Sequence, residues 1–156
     1  MSTETTAGTE PAALVGRAGA PFPVRIEHGK VAEFARAVGL DPAELAGSDG
    51  EPVPPATFLT TARLWSGPAN DPWTGAGRNR SRVLHGEQEF VFHGRCPRVG
   101  ETLTATSRIE SVFEKSGRRG GTLRFSVTVT EFRDAAGTLV AEARSTGIET
   151  SRAATG

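Results

Sequence analysis

ETLTATSRIESVFEK at residues 101–115, followed by TLRFSVTVTEFR at residues 122–133, alternates apolar and polar positions almost without error. In the first run Leu103, Ala105, Ser107, Ile109, Ser111 and Phe113 share one face, and Thr104, Thr106, Arg108, Glu110 and Glu114 share the other. In the second, Leu123, Phe125, Val127 and Val129 read inward, and Arg124, Ser126, Thr128 and Thr130 read outward. Successive side chains of a strand point to opposite faces, so a period of two predicts a sheet with one dry face and one wetter face. Leu84 to His93 and Thr138 to Glu149 extend the pattern on either side, joined through the turns Pro97-Arg98-Val99-Gly100 and Ala135-Ala136-Gly137. The expectation is a long antiparallel meander. A sheet apolar on one side must be covered, and only the first half of the chain is available to cover it.

In that first half the period changes. Phe22-Pro23-Val24-Arg25-Ile26 suits a short strand, with Pro23 arguing for an edge. Val31, Phe34, Ala35 and Val38 then fall at helical spacing, and Gly39 stands where a left-handed stop is expected. Asp41-Pro42 reads as an N-cap followed by a proline at the first position of one further turn, with Glu44 favouring the same helix end. Pro54-Pro55 suits the first turn of a second helix, about Pro55 to Trp65, in which Phe58, Leu59, Ala62, Leu64 and Trp65 are apolar over more than half the circumference. That helix is expected to be the buried filling of the wrap. Residues 66–81, rich in Gly, Pro, Asn and Asp, read as a mobile loop whose exit carries Arg78, Arg80 and Arg82.

Composition narrows the classes. At 156 residues one domain is expected, residues 14–150, between a disordered tail at 1–13 and a frayed end at 151–156. Lys plus Arg and Asp plus Glu are balanced at 18 each, so no global field favours nucleic acid or an anionic membrane. The single Cys96, next to Pro97, has no activating neighbour and allows neither an internal disulfide nor a zinc cluster. No apolar run approaches the roughly 20 residues of a membrane span, and the N-terminus lacks the pattern of a signal peptide. A cytoplasmic protein is expected, with no metal and no cofactor.

Five segments occur in an order that carries a resemblance: VPPATF at 53–58, LHGEQEF at 84–90, PRVGETL at 97–103, EKSGRRGG at 114–121 and ARST at 143–146. Together they resemble the N-terminal MaoC-like dehydratase family, also called FAS1-like. The resemblance implies an α+β hot-dog fold, a curved antiparallel sheet of five or six strands around a central helix. It also implies reversible, R-specific hydration of trans-2-enoyl thioesters carried on coenzyme A or acyl carrier protein. Active members of the wider superfamily carry Asp and His in a Gly-Asp-x-Asn-Pro-x-His pattern, which hold and deprotonate a water for attack at C3. The matching stretch here is Gly39-Leu40-Asp41-Pro42-Ala43-Glu44. The histidine position holds Glu44, and the aspartate position falls on Leu40 or in a deletion. The resemblance is therefore to the non-catalytic half of a two-hot-dog hydratase, and it implies a catalytic MaoC-like partner joined edge to edge. The alternatives are a homodimeric hydratase using Asp41, Glu44 or His85, and a non-enzymatic module that binds acyl thioesters.

Candidate residues follow from this. Phe58, Leu59 and Ala62 are core in the simplest reading, yet one edge of their helix would also suit the wall of an acyl tunnel. His85 beside Gly86 is a place where backbone and ligand could approach, against the plainer reading of an exposed histidine. His28 and His93 read as exposed. Arg118 and Arg119, between glycines, could grip a carrier phosphate with forked hydrogen bonds or be a solvated hairpin tip. Arg78, Arg80 and Arg82 read as a solvated loop more readily than as a surface for an acidic carrier protein.

Overall fold

The computed structural model describes residues 11–117 and 121–151. A helical turn, α1 (Pro11–Leu14), is followed by strand β1 (Phe22–Arg25) and helix α2 (His28–Ala37). Four long strands come after residue 82: β2 (Val83–Phe92), β3 (Thr102–Ser116), β4 (Thr122–Arg133) and β5 (Leu139–Thr150). They form one antiparallel sheet in the order β1-β3-β4-β5-β2. β3, β4 and β5 are the expected meander, but β2 does not lie beside β3. β1 already occupies that edge, pairing Phe22 with Ala105 and Val24 with Leu103, so β2 crosses to the free side of β5.

α2 ends as its glycine predicts. Gly39 has φ of 80°, its N–H donates to the Arg36 carbonyl, and the Leu40 N–H donates to the Ala35 carbonyl. Those two bonds satisfy carbonyls that the helix end leaves open. The second helix is tighter and shorter than expected, a 3-10 helix over Phe58–Leu64. Two local causes are visible. Phe58 N–H reaches back to the Pro55 carbonyl, setting an i to i−3 pattern at the start. The Thr61 hydroxyl then donates to the Phe58 carbonyl at 2.8 Å, the acceptor that an α-helix would reserve for Ala62 N–H.

The main core lies between these helices and the inner face of the sheet. Phe22, Val24 and Ile26 meet Leu103, Ala105, Phe132 and Ala141 from the strands and Val31, Phe58, Leu59 and Ala62 from the helices. Phe34 and Phe58 meet edge to face, ring centres 5.5 Å apart. A second cluster joins Leu14, Trp73, Ala76, Ile109 and Val112. It accounts for a correction: residues 66–81 are pinned rather than mobile. Ala20 N–H donates to the Ala69 carbonyl, Asn70 Nδ2 donates to the Ala20 carbonyl, and Trp73 is buried. Gly19 permits the approach, since a Cβ there would lie 2.0 Å from the Asn70 carbonyl oxygen.

Two face assignments also change. On β3 the alternation holds from Leu103 to Ile109, and then a bulge inserts Glu110, so that Ile109 pairs with Thr128 and Ser111 with Val127. One extra residue reverses every side chain after it. Val112 packs inward, and Phe113 turns outward to stack on Phe125 at 5.1 Å. On β4 the register pairs Phe132 with Ala105 and Ala141, which fixes Phe132, Thr130, Thr128 and Ser126 as the inner set. The apolar set Phe125, Val127 and Val129 therefore faces outward. Val129 is fully buried there, flanked in register by Arg108 and Arg144. Long arginine stems cover apolar surface while their charged heads stay wet.

Candidate functional site

The reversal of β4 gives the inner face a polar floor. Between that floor and the segment from Leu59 to Thr74 lies a half-open cleft of 960 Å³. Its roof includes Leu59 and Ala62, its buried end Phe22 and Phe132, and its floor Ser107, Thr128, Thr130, Ser145, Gln88 and His85. Such a volume accommodates a medium-sized organic ligand.

The outer wall is held by charge and by an indole. Asp71 Oδ1 accepts from the Trp73 N–H at 3.0 Å, and Asp71 Oδ2 is paired with Arg80. Trp73 Nε1 donates to Thr128 Oγ1 at 2.9 Å, linking wall to floor. Arg78 lies over the Trp73 ring, 4.4 Å from its centre, and donates to Ser126 Oγ at 3.2 Å. Burial lowers the Arg78 pKa from its ordinary value, opposed by the Glu149 and Asp71 carboxylates and assisted by Arg80. Arg82 donates to the Ser151 carbonyl. All three arginines of the expected basic exit are thus engaged within the chain.

The expected site residues divide. Leu59, Ala62 and His85 line the cleft. Phe58 lines a separate 250 Å³ groove with Phe34, Thr61, Trp65 and Lys30. Gly86 is the extra residue of a bulge between His85 and Glu87, and a Cβ there would stand 2.9 Å from Ile148 Cδ1. Asp41 and Glu44 are not in the cleft wall; Asp41 Oδ1 accepts from the Ala43 N–H at 2.9 Å as an N-cap. His93 pairs with Glu142 at 2.9 Å at the start of the β2–β3 connection. Arg118 and Arg119 lie outside the described residues. Among the described residues no group of three or more His, Cys, Asp and Glu side chains is placed to hold a metal ion, and no helix is long and apolar enough to cross a membrane.

Sequence reasoning passed over Thr128, Ser145, Gln88 and Trp73. The signal was present in the alternating Ser126, Thr128 and Thr130, but hydropathy placed them on the solvent face. Chemically, the cleft offers Leu59, Ala62 and Leu64 among Thr60, Arg63 and Ser66 in its roof, hydroxyl and amide groups on its floor, and one imidazole. Its carboxylate, Asp71, is occupied at both oxygens.

The family model described as FAS1-like, dehydratase domain region matches residues 13–143. A UPF0336 protein of Parafrankia sp. (strain EAN1pec) is 36% identical over 132 residues, covering 78% of this chain and 80% of that one. The UPF0336 protein SCO4636 of Streptomyces coelicolor is 37% identical over 114 residues, covering 67% and 74%. Among solved structures, the HadBC (3R-hydroxyacyl-ACP dehydratase) complex of Mycobacterium tuberculosis aligns with a TM-score of 0.68 at 27% identity, over 86% of this chain and 96% of the other. The ChsH1-ChsH2 complex of the same organism shares the fold, with a TM-score of 0.65 at 16% identity, over 88% and 86%.

Proposed function

The chain belongs to the FAS1-like dehydratase domain family, with a hot-dog fold, and on that basis we propose that it is a subunit of an R-specific enoyl-thioester hydratase or 3-hydroxyacyl-thioester dehydratase. Its role is to shape the acyl cleft, while a catalytic MaoC-like partner supplies the Asp and His that move the protons. The observation that carries this reading is the composition of the cleft. It has acyl-sized room and apolar Leu59, Ala62 and Leu64 in its roof, yet it brings His85 together with neither Asp41 nor Glu44. General acid–base catalysis needs the donor and acceptor within hydrogen-bond reach of one water.

Assembly of two different hot-dog chains is supported by the HadBC and ChsH1-ChsH2 neighbours, both of which are complexes. Among the described residues β2 is an edge of the sheet, paired with β5 on one side, and the open margin on its other side, in short stretches either side of the bulge at Gly86, is available to another strand. In this proposal Leu59, Ala62 and His85 face the acyl thioester. Phe58 supports the roof from behind, and Gly86 lets β2 bulge over Ile148. Arg118 and Arg119 grip a phosphate of coenzyme A or of the carrier's prosthetic arm. The protein would act in the cytoplasm, on lipid or polyketide thioesters.

Crotonyl-coenzyme A given to the purified chain, alone and mixed with a chain carrying Gly-Asp-x-Asn-Pro-x-His encoded beside its gene, tests the assignment. Hydration is expected only from the mixture. Turnover by this chain alone overturns the helper role and favours the homodimeric reading, which His85 in the cleft supports. Thioester binding with no change in any rate favours a binding module.

A further inference from the structure

The cleft floor is not merely polar; its polar groups are in register. Thr128 of β4 stands opposite Ser145 of β5, and Ser145 stands opposite Gln88 of β2. Further along the same face Thr130 stands opposite Ser107, their hydroxyls 2.8 Å apart. All five side chains line the cleft. With strands about 4.8 Å apart, the row of three runs roughly 10 Å across the sheet.

The hydrogen bonds these groups already make leave defined capacity over. Thr128 Oγ1 accepts from Trp73 Nε1, and its own hydroxyl hydrogen is given to no acceptor among the described residues. Gln88 Nε2 donates to the Arg144 and Glu89 carbonyls at 3.0 and 3.3 Å, and its Oε1 accepts nothing among the described residues. A plain alkyl chain laid on this floor would strip water from the hydroxyls and the amide and return no hydrogen bond, which is unfavourable. A chain bearing its own hydroxyl or keto oxygen would replace the lost water. The roof opposite, Leu59 and Ala62, suits the carbon side of the same chain.

We propose that the acyl group this cleft takes is oxygenated, with hydroxyl or keto substituents lying toward the Thr128–Ser145–Gln88 row, in preference to a saturated chain of equal length. The inference rests on the acyl-thioester reading above and adds to it the chemical class of the acyl group.

Trp73 provides a local probe, since the chain has two tryptophans and W65F leaves only the one bonded to the floor. Titration of this variant with decanoyl-coenzyme A and with the same thioester carrying a mid-chain hydroxyl, followed by indole emission, gives both affinities. The hydroxylated ester is expected to bind about tenfold tighter, the worth of one to two net hydrogen bonds. S145A, and separately the paired S107A/T130V, should each reduce that preference, in part by raising the affinity for the plain ester, which then strips water from fewer hydroxyls. The pair removes both members of one hydrogen bond, so folding is little disturbed. Equal affinity of the two esters in the parent overturns the proposal and leaves the thioester reading standing. Binding of neither overturns both. A preference that survives both variants overturns the assignment to this floor.

Discussion

The guanidinium of Arg78 occupies the space that a side chain at Gly147 would need: a Cβ there would lie 2.1 Å from Arg78 Nη2. Gly147 lies toward the C-terminal end of β5, opposite Ser126 on one side and His85 on the other. The bare backbone is what lets Arg78 lie between the Trp73 ring and Ser126, and so holds the wall of the cleft against its floor.

G147A is therefore expected to destabilise the protein by about 1–3 kcal/mol, the usual cost of overpacking a filled site. Urea unfolding measures it. Part of the loss should be recovered in G147A/R78A, because the displaced group is then gone; a double variant no more stable than G147A would show that the contact is not the cause.

Acid should loosen the end of the sheet where turns meet. Arg95 donates to both oxygens of Glu101, at 3.0 and 2.5 Å, and lies 3.5 Å from Asp134. Burial pushes the Glu101 pKa up, but the Arg95 hydrogen bond, the Arg98 backbone N–H and the Arg95 charge together bring it below its ordinary 4.5. Asp134 is lowered from 3.8 chiefly by the Thr138 and Ala136 backbone N–H groups, against a desolvation that raises it, with Arg95 adding to the lowering. A depressed carboxylate stabilises fully above its unfolded pKa, and the contribution is lost as pH falls through the folded value. E101Q should thus melt below the parent at pH near 7, by calorimetry, and the gap should close as pH drops below 4.5. A constant gap would refute the linkage.

Phe58 is 1% exposed while Leu64, six residues on in the same helix, is 73% exposed. Truncation should separate them sharply. F58A is expected to cost about 3–5 kcal/mol through the lost burial and the cavity left beside Phe34, and L64A within about 0.5 kcal/mol of nothing. Denaturant midpoints on the two variants decide it.

Under the proposed assignment, H85A distinguishes helper from catalyst in the mixture of the two chains. If the partner's acid–base pair does the chemistry, the variant raises KM and leaves kcat near the parent value. Loss of an essential acid or base would instead cost about 10²- to 10⁴-fold in kcat.

The outline of the fold was legible because β1, α2 and the four long strands each carry their own period, and because Gly39 and Asp41 announce their helix ends by local chemistry. What escaped was set by partners distant in the chain. Nothing near Glu110 marks it as the extra residue of a bulge, and Phe113 could be placed only once Phe125 was known to lie beside it. Val129 reads as a core residue and is one, but under Arg108 and Arg144 on the outer face. Its burial by arginine stems is a tertiary fact that hydropathy inverts. The candidate site suffered from that inversion, since Thr128 and Thr130 of its floor were assigned to solvent.

The bulge at Gly86 has a consequence for how far assembly can proceed. It interrupts the open margin of β2, so a strand aligned with Gln88 to Phe92 falls out of step with Val83 to His85. An incoming chain can add only a brief ladder on either side of the break. Association through this margin is thereby steered toward a closed pair and away from the unlimited stacking that a straight ten-residue edge would template.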